Sequence, residues 1–422
     1  MRSSGLGEAD LCQHGPNVPT TTGNLSVSVS QSSSYRSLPF DQARLDRLMD
    51  EAGIDILIAT SKHNVQYLLG GYRFFFFDYM DAVALNRYLP VVVYQKGKPD
   101  NTAYFGAALE IFERQLGKFW PPVVETGTWS STDAIQLAVE HIRKIGASSS
   151  TIGVEKAFVP MDGGQLLHDN GYRIADAAFV LERLRLIKTP DELTLLREAS
   201  ERVVQSMAAT FDYCLPGMTK NDLVAKLRRE EVNRDLKFEY CLITAGRDLN
   251  RSPSEQKLQA GDVISLDSAG NFHGYIGDLC RMGILGEPDA ELEDLLGLIT
   301  HIQSEARKPV KAGARGGDIF TIADAIIDQS PHKPYMEFLA HGMGLVSHEG
   351  PRLTSVGPVP YQGYDEDRAL EAGMVISIET AIKHPTRGYI KLEDTVVVTA
   401  SGSEGFGDEF RGWNRAGVYG GV

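Results

Sequence analysis

Two aspartates in the stretch SLDSAGNFHGYIGDLCR, Asp267 and Asp278, stand in segments whose remaining residues are those of buried strands. A carboxylate set among valines and leucines must be paired, protonated or bound to a cation. If the stretch folds back as a hairpin centred between Phe272 and His273, the two acids oppose each other with Cβ atoms about 5 Å apart. Bare carboxylates that close repel, and a cation between them removes the conflict. For this pair alone, two solvated turn acids are the plainer explanation. Glu379 in EAGMVISIETAI and Glu393 in GYIKLEDTVVVT repeat the arrangement, with the turn formers KHPTRG between them and a midpoint near Thr386. A buried glutamate neutralised by a nearby lysine such as Lys391 explains either acid by itself, but much less readily a second hairpin that copies the first. The segment AHGMGLVSHEGPRL adds His341 and His348, with Gly342 and Gly344 permitting close backbone approach. Carboxylates and imidazoles gathered in this number suit two first-row divalent ions roughly 3.5 to 4 Å apart.

The elements that must position these residues are legible in outline. DQARLDRLMDEAG carries apolar residues at helical spacing, and IDILIAT, YLPVVVY and TIGVEK read as buried strands, with the helical TDAIQLAVEHIRKIG between the last two. This alternation predicts a three-layer or doubly wound α/β domain. Thr189, Pro190 and Glu192 have the spacing of an N-cap, a first-turn proline and the acid of a capping box, so a long helix starts there. Thr219 and Asp222 repeat the device in a weaker form. After Tyr240 the strands YCLITAG, DVISLDSAG and GYIGDLCRMGIL are followed by helical DAELEDLLGLITHIQSEARKPV and GGDIFTIADAIIDQ and then by strands again, which indicates α+β. The Gly-rich GSEGFGDEFRGWNRAGVYGGV is expected to end loosely.

With 422 residues the chain should hold two or three domains, since single cores stop growing near roughly 250 residues. The net charge of −14 argues against nucleic acid or an anionic membrane as partner, because those reward clustered Lys and Arg. Cys12, Cys214, Cys241 and Cys280 show no C-x-x-C spacing and make no disulfide framework, which fits a reducing cytoplasm. The Ser/Thr/Gly-rich opening lacks a secretory h-region, and no run approaches the length of a membrane span.

The order and spacing of these motifs resemble the metallopeptidase family M24, which includes prolidase, aminopeptidase P and methionine aminopeptidase and has the pita-bread catalytic fold. HNVQYLLGGY is similar to the N-x-x-Y-L-x-G segment of the creatinase/prolidase group. The Ser/Thr/Gly-rich opening reads as a flexible tail over 1–36, and the resemblance implies an α/β creatinase-like N-terminal domain over 37–187 and an α+β pita-bread catalytic domain over 188–415. It implies that Asp267 holds a first metal, that Asp278 and Glu393 bridge two, and that His341 and Glu379 complete the second. Glu379 would also help move the proton of a bridging water, and His348, outside the ligand set, would face the scissile carbonyl. Mn²⁺ suits so oxygen-rich a shell, with Co²⁺, Fe²⁺ or Zn²⁺ as alternatives.

The expected activity is hydrolysis of a C–N bond of the Xaa-Pro dipeptidase type, by a homodimer acting on a small or short peptide substrate. Two departures from the family pattern point to altered substrate contacts: Asn250 stands where a loop histidine is usual, and Lys391 where prolidases commonly carry arginine. They keep open a relative acting on a small non-peptide metabolite, by creatinase-like or ectoine-hydrolase-like amide hydrolysis or as a sulfonium-compound lyase. Retention of all five ligand positions speaks against a binding module that has lost catalysis. The aromatic run YRFFFFDYM reads first as core or domain-interface filler and second as the lining of a neighbour's site.

Overall fold

A computed structural model of the chain describes residues 38–79, 82, 88–355 and 362–416. The tail expected over 1–36 lies outside the described residues, as does the end of the chain from 417. In the first half, strands β1 (Ile56–Ala59), β2 (Val91–Gln95), β3 (Lys98–Ala107), β4 (Val123–Thr128), β5 (Thr151–Val154) and β6 (Arg173–Asp176) form one sheet in the order β4-β3-β2-β1-β5-β6. The sheet is mixed: β1 runs antiparallel to β2 and parallel to β5, and the Lys96-Gly97 turn returns β3 antiparallel to β2. Strand alternation sends Leu57 and Ala59 of β1 into one core and Ile56 and Ile58 into the other, so both faces are covered. The helices Gln42–Glu51, which buries Leu45, Leu48 and Met49, and Ser131–Lys144, which buries Ala134, Ile135 and Ile142, supply the covering layers. Of the aromatic run, Phe74 and Phe77 enter the first core, as the filler reading expects, while Phe75 and Tyr79 remain exposed.

The helix Pro190–Tyr213 opens the second half on the expected capping box, in which Glu192 Oε2 accepts from Thr189 N at 2.9 Å. Behind it come the helix Lys220–Asn233 and strands β7 (Lys237–Ala245), β8 (Val263–Phe272) and β9 (Tyr275–Leu285). Helices Ala290–Arg307 and Asp318–Ile327 follow, then β10 (Met336–Gly342), β11 (Val375–His384), β12 (Gly388–Val398), β13 (Ser403–Phe406) and β14 (Asn414–Ala416). The second sheet has the order β10-β11-β12-β9-β8-β7, with β13 on β12 and β14 on β9. The Gly-rich segment contributes two short strands before residue 417, where Gly405 and its neighbours pair with β12 and Asn414 donates to Met282 O at 2.9 Å, and the end expected to be loose lies outside the described residues.

One face of this sheet carries the helices. Leu266 and Leu279 pack with Val203, Met207 and Leu227, and Ile376, Ile378 and Val396 pack with Ile302, Ala306 and Ile319. On that side the fully buried Arg281 ties β9 to β12, donating to Glu393 O at 2.8 Å and facing Asp394 at 3.1 Å. Residues of opposite parity point to the other face, and these include the acids singled out above.

Glu231, in the helix Lys220–Asn233, is an unusual member of this core. Its Oε1 accepts from Ser268 Oγ at 2.8 Å, its Oε2 has no partner among the described residues, and burial pushes the carboxyl up to about 8. The folded chain therefore keeps a proton that the unfolded chain releases above about pH 4.3. The stability this group contributes is full below that value, falls as pH rises, and is gone above about 8. Glu231→Gln should leave the melting temperature nearly level with the parent at pH 5 and raise it by several degrees at pH 9, read by thermal denaturation. An equal offset at both pH values would contradict this assignment.

Candidate metal centre

Five neighbouring strands each deliver one side chain to a single patch. His341 comes from β10, Glu379 from β11, Glu393 from β12, Asp278 from β9 and Asp267 from β8. Glu379 and Glu393 are direct cross-strand partners, as their shared midpoint at Thr386 predicts. The first hairpin differs from the expectation. Its turn is His273-Gly274, with φ of 51° and 98°, so Asp267 lies opposite Cys280 and Asp278 opposite Ala269. The acids are diagonal rather than opposed. Because the displacement is by an even number of residues, both keep the same face.

The patch is buried and densely paired. Tyr240 OH donates to Asp278 Oδ2 at 2.6 Å and Ser377 Oγ to Glu393 Oε1 at 2.9 Å. His341 Nδ1 donates to the carbonyl of Gly342 at 3.2 Å, which turns Nε2 toward Glu379 Oε1 at 3.0 Å, the orientation a metal-binding imidazole uses. Gly342 is required here, since a Cβ would lie 2.0 Å from Gly350 O. His348 stacks on His341 with ring centroids 3.7 Å apart and planes 13° from parallel. Lys391 Nζ reaches Asp267 Oδ2 at 2.5 Å, Glu379 Oε2 at 2.6 Å and Glu393 Oε2 at 2.8 Å, and Arg251 adds a second cation on Asp267 Oδ2.

These contacts set the charges. Burial, then the neighbouring Glu393 and Asp267, hold Asp278 well above the ordinary carboxylate range. Burial, then Glu379, pushes Glu393 up to about 7. Burial opposes the ionisation of Glu379, but Lys391 and His341 outweigh it and hold that carboxyl low. Burial, then His341, pulls His348 down to about 4, so its ring is neutral at pH 7.

The donor set fits a divalent cation. Ligand atoms of Asp267, Asp278 and Glu393 all lie within 4.8 Å of one another, as do those of His341, His348 and Glu379. Asp278 Oδ1 is buried with no hydrogen-bond partner among the described residues, an orphan that a cation would satisfy.

Three contributors were not singled out from the sequence. Tyr240 lies on β7 and Ser377 on β11, and neither hydroxyl stands out from its strand. Arg251 reaches Asp267, while its neighbour Asn250 is exposed, with Oδ1 accepting from Ser252 N at 3.1 Å and its carbonyl from Lys220 Nζ at 2.6 Å. Around the patch the two halves meet through buried polar contacts. Glu349, next to His348, pairs with Arg185 at 2.8 Å and Lys188 at 3.0 Å, Arg185 also donates to Asn64, and Gln66 Nε2 donates to His273 O at 2.7 Å.

A carboxylate-rich patch with an inward imidazole, on an antiparallel sheet behind an α/β domain, defines a two-domain metallohydrolase. Residues 194–400 match the model of Metallopeptidase family M24 and residues 42–187 that of the Creatinase/Prolidase N-terminal domain. The chain belongs to the metallopeptidase family M24 and is a hydrolase of that family. It is 25% identical over 374 residues to a Xaa-Pro dipeptidase of Pyrococcus furiosus, covering 86% of this chain and 95% of that one. Among solved structures it is similar to a Xaa-Pro dipeptidase from Bacillus anthracis, with TM-score 0.74, 20% identity and coverage of 89% and 98%. An X-Pro aminopeptidase from Thermotoga maritima gives TM-score 0.71, 18% identity and coverage of 89% and 99%.

Proposed function

We propose that the chain is a divalent-metal-dependent hydrolase of the Xaa-Pro dipeptidase type, cleaving a C–N bond of a short peptide. The observation that carries this reading is the gathering of Asp267, Asp278, Glu379, Glu393 and His341 on one face of five adjacent strands, with Asp278 Oδ1 unpartnered among the described residues. Asp267, Asp278, Glu379, Glu393 and His341 would hold a divalent ion, which when bound would supply Lewis acidity to activate water and offset negative charge on an attacked carbonyl oxygen. Glu379, kept ionised by its neighbours, accepts the proton of the attacking water and passes it to the leaving amine. His348, neutral and held flat against His341, offers a ring N–H to the carbonyl oxygen. Tyr240 fixes the rotamer of Asp278, and a cavity of about 300 Å³ lined by His63, Arg73, Tyr240, Leu345 and Ser347 gives the substrate room beside it.

The oxygen-rich donor set favours Mn²⁺ over softer ions. The division of the chain near 187 and 188, a homodimer and a cytoplasmic location complete the reading. The family resemblance supports the dimer, and cysteines spread without pairing support the compartment. No helix among the described residues is long and apolar enough to cross a membrane.

A second substrate class, a small non-peptide amide or sulfonium compound, is favoured by one observation: Arg251 enters the site while Asn250 turns away from it. One experiment separates the readings. Protein is stripped with chelator, reloaded with Mn²⁺ or Co²⁺, and assayed against Xaa-Pro dipeptides, longer Xaa-Pro peptides, small amides and sulfonium compounds. Chelation should abolish turnover and metal restore it, with the dipeptides cleaved fastest. Full activity in thoroughly stripped protein would sink the metal-dependent assignment, and turnover confined to the non-peptide compounds would favour the second class.

A further inference from the structure

The cavity of about 300 Å³ beside the metal centre has one wall from the second sheet and one from the first half of the chain. Strand alternation explains the first wall. Ala269 and Asn271 share the face of Asp267 on β8, and Ile276 shares that of Asp278 on β9, so the cavity continues the ligand face toward the hairpin tip. At a rise of about 3.4 Å per residue, Ile276 lies roughly 7 Å from Asp278 along its strand and Asn271 roughly 14 Å from Asp267. The second wall is basic. It carries Lys62, the first residue of the helix Lys62–Leu68, and Arg73.

Arg73 is fixed at that far end. It donates to Gln66 Oε1 at 3.1 Å, and the same amide donates to His273 O at the hairpin tip at 2.7 Å. Arg73 also pairs with Asp78, which Lys237 approaches to 3.4 Å. Lys62 is left with less. Its one ion pair among the described residues is with the same Asp78 oxygen at 3.9 Å, beyond hydrogen-bond reach. Glu239 is the other acid at this end, accepting from Asn271 Nδ2 at 2.9 Å and lying 3.7 Å from Lys237. Three cations, Lys62, Arg73 and Lys237, thus face two carboxylates, Asp78 and Glu239, and one positive charge is left over. His63 adds none, since burial and then Arg185 pull its ring down to about 3. Burial, then Arg73 and Lys237, also lower Lys62, a crowding that an incoming carboxylate would relieve.

The terminal carboxylate of a dipeptide does not span the distance from the metal ligands to these cations, because its carbon is one residue, at most about 3.6 Å, from the scissile carbonyl. Proline carries no acidic side chain. In a Xaa-Pro dipeptide the remaining place for a carboxylate is the side chain of Xaa, and glutamate reaches one methylene further than aspartate. We infer that the site selects dipeptides whose first residue is acidic, glutamate ahead of aspartate, with Lys62 and Arg73 receiving the side-chain carboxylate at the far end of the cavity. The inference rests on the dipeptidase reading above and specifies its first residue. Selection then belongs to the first half of the chain and hydrolysis to the second.

The test compares Glu-Pro with Gln-Pro, which match in shape and differ in charge, on full-length Mn²⁺-loaded protein. The expected result is a kcat/KM for Glu-Pro roughly tenfold or more above that for Gln-Pro, carried by KM, as a charged hydrogen bond to substrate provides. Raising the salt concentration should shrink the ratio. In Lys62→Met the ratio should fall to near unity, and Lys62→Arg should restore part of it. Calorimetry on metal-stripped protein, where nothing turns over, should show Glu-Pro binding more tightly than Gln-Pro. Equal kcat/KM for the two dipeptides in a protein that cleaves both would overturn the inference and leave the dipeptidase reading intact, whereas no turnover of any Xaa-Pro dipeptide would overturn both. Discrimination between Ala-Pro-Gly and its C-terminal amide, with none between Glu-Pro and Gln-Pro, would assign the cations to a terminal carboxylate and also overturn it. The ratio and its salt dependence are read on the parent protein, so a Lys62→Met variant that fails to fold does not remove the test.

Discussion

Asp278→Asn should lower kcat/KM by about a thousandfold or more and strip the bound ion from the protein. The aspartate is buried, and among the described residues its Oδ1 has no partner and no side-chain cation is paired with it, so no described neighbour replaces what a metal supplies there. Metal stabilisation of transition-state charge is worth several kcal/mol, and each ~1.4 kcal/mol is tenfold in rate. Asparagine preserves volume and still accepts from Tyr240 OH, so circular dichroism should show the fold intact. Parallel measurements of turnover and metal content decide the matter. A variant that retains its full complement of metal would remove Asp278 from the ligand set.

His348→Ala should behave differently, keeping the ion and losing about 10² to 10⁴ in kcat, the usual span for a lost proton-transfer or hydrogen-bonding group. The ring is neutral near pH 7 because burial and the adjacent His341 disfavour its charge, so it acts as a hydrogen-bond donor rather than as a cation. Its stack on His341 fixes the ring plane without using the nitrogens. Metal content equal to the parent with a depressed kcat is the expected pair of readings. If the variant loses metal, His348 belongs with His341 and Glu379 as a ligand, a grouping that the distances also permit.

Much of this centre could be read from residue types and parity. Glu379 and Glu393 lie where turn formers between two apolar strands put them, since hairpin register follows from the loop. The register of Asp267 and Asp278 was less legible because His273 sits at the first position of a two-residue turn whose φ is positive at both residues, a place where asparagine or aspartate is the usual signal. The contacts that tune the site came from residues far apart in the chain. Nothing in the spacing joins Tyr240 to Asp278, or Arg251 to Asp267, because those approaches depend on how strands neighbour in the sheet. Lys391 is the intermediate case. Its distance of two from Glu393 places it on the same face, but only the sheet order reveals that Asp267 and Glu379 converge on it as well.

The contact of Gln66 with the carbonyl of His273 has a consequence in time. The two residues are 207 positions apart, so at the usual pace of synthesis, about 5 to 20 residues per second, Gln66 leaves the ribosome roughly 10 to 40 s before its partner exists. The first sheet is complete in sequence by Asp176, and Asn64 finds its partner Glu155, at 2.5 Å, within that same half. At the tip of the Asp267–Asp278 hairpin Gly274 has φ of 98°, a conformation other residues rarely adopt, and a Cβ there would also lie 2.3 Å from the Gln66 amide and displace it. If the early-made half folds first, it is the surface on which the late-made turn is set, and a larger residue at position 274 should slow refolding, read by stopped-flow, more than it alters the metal centre.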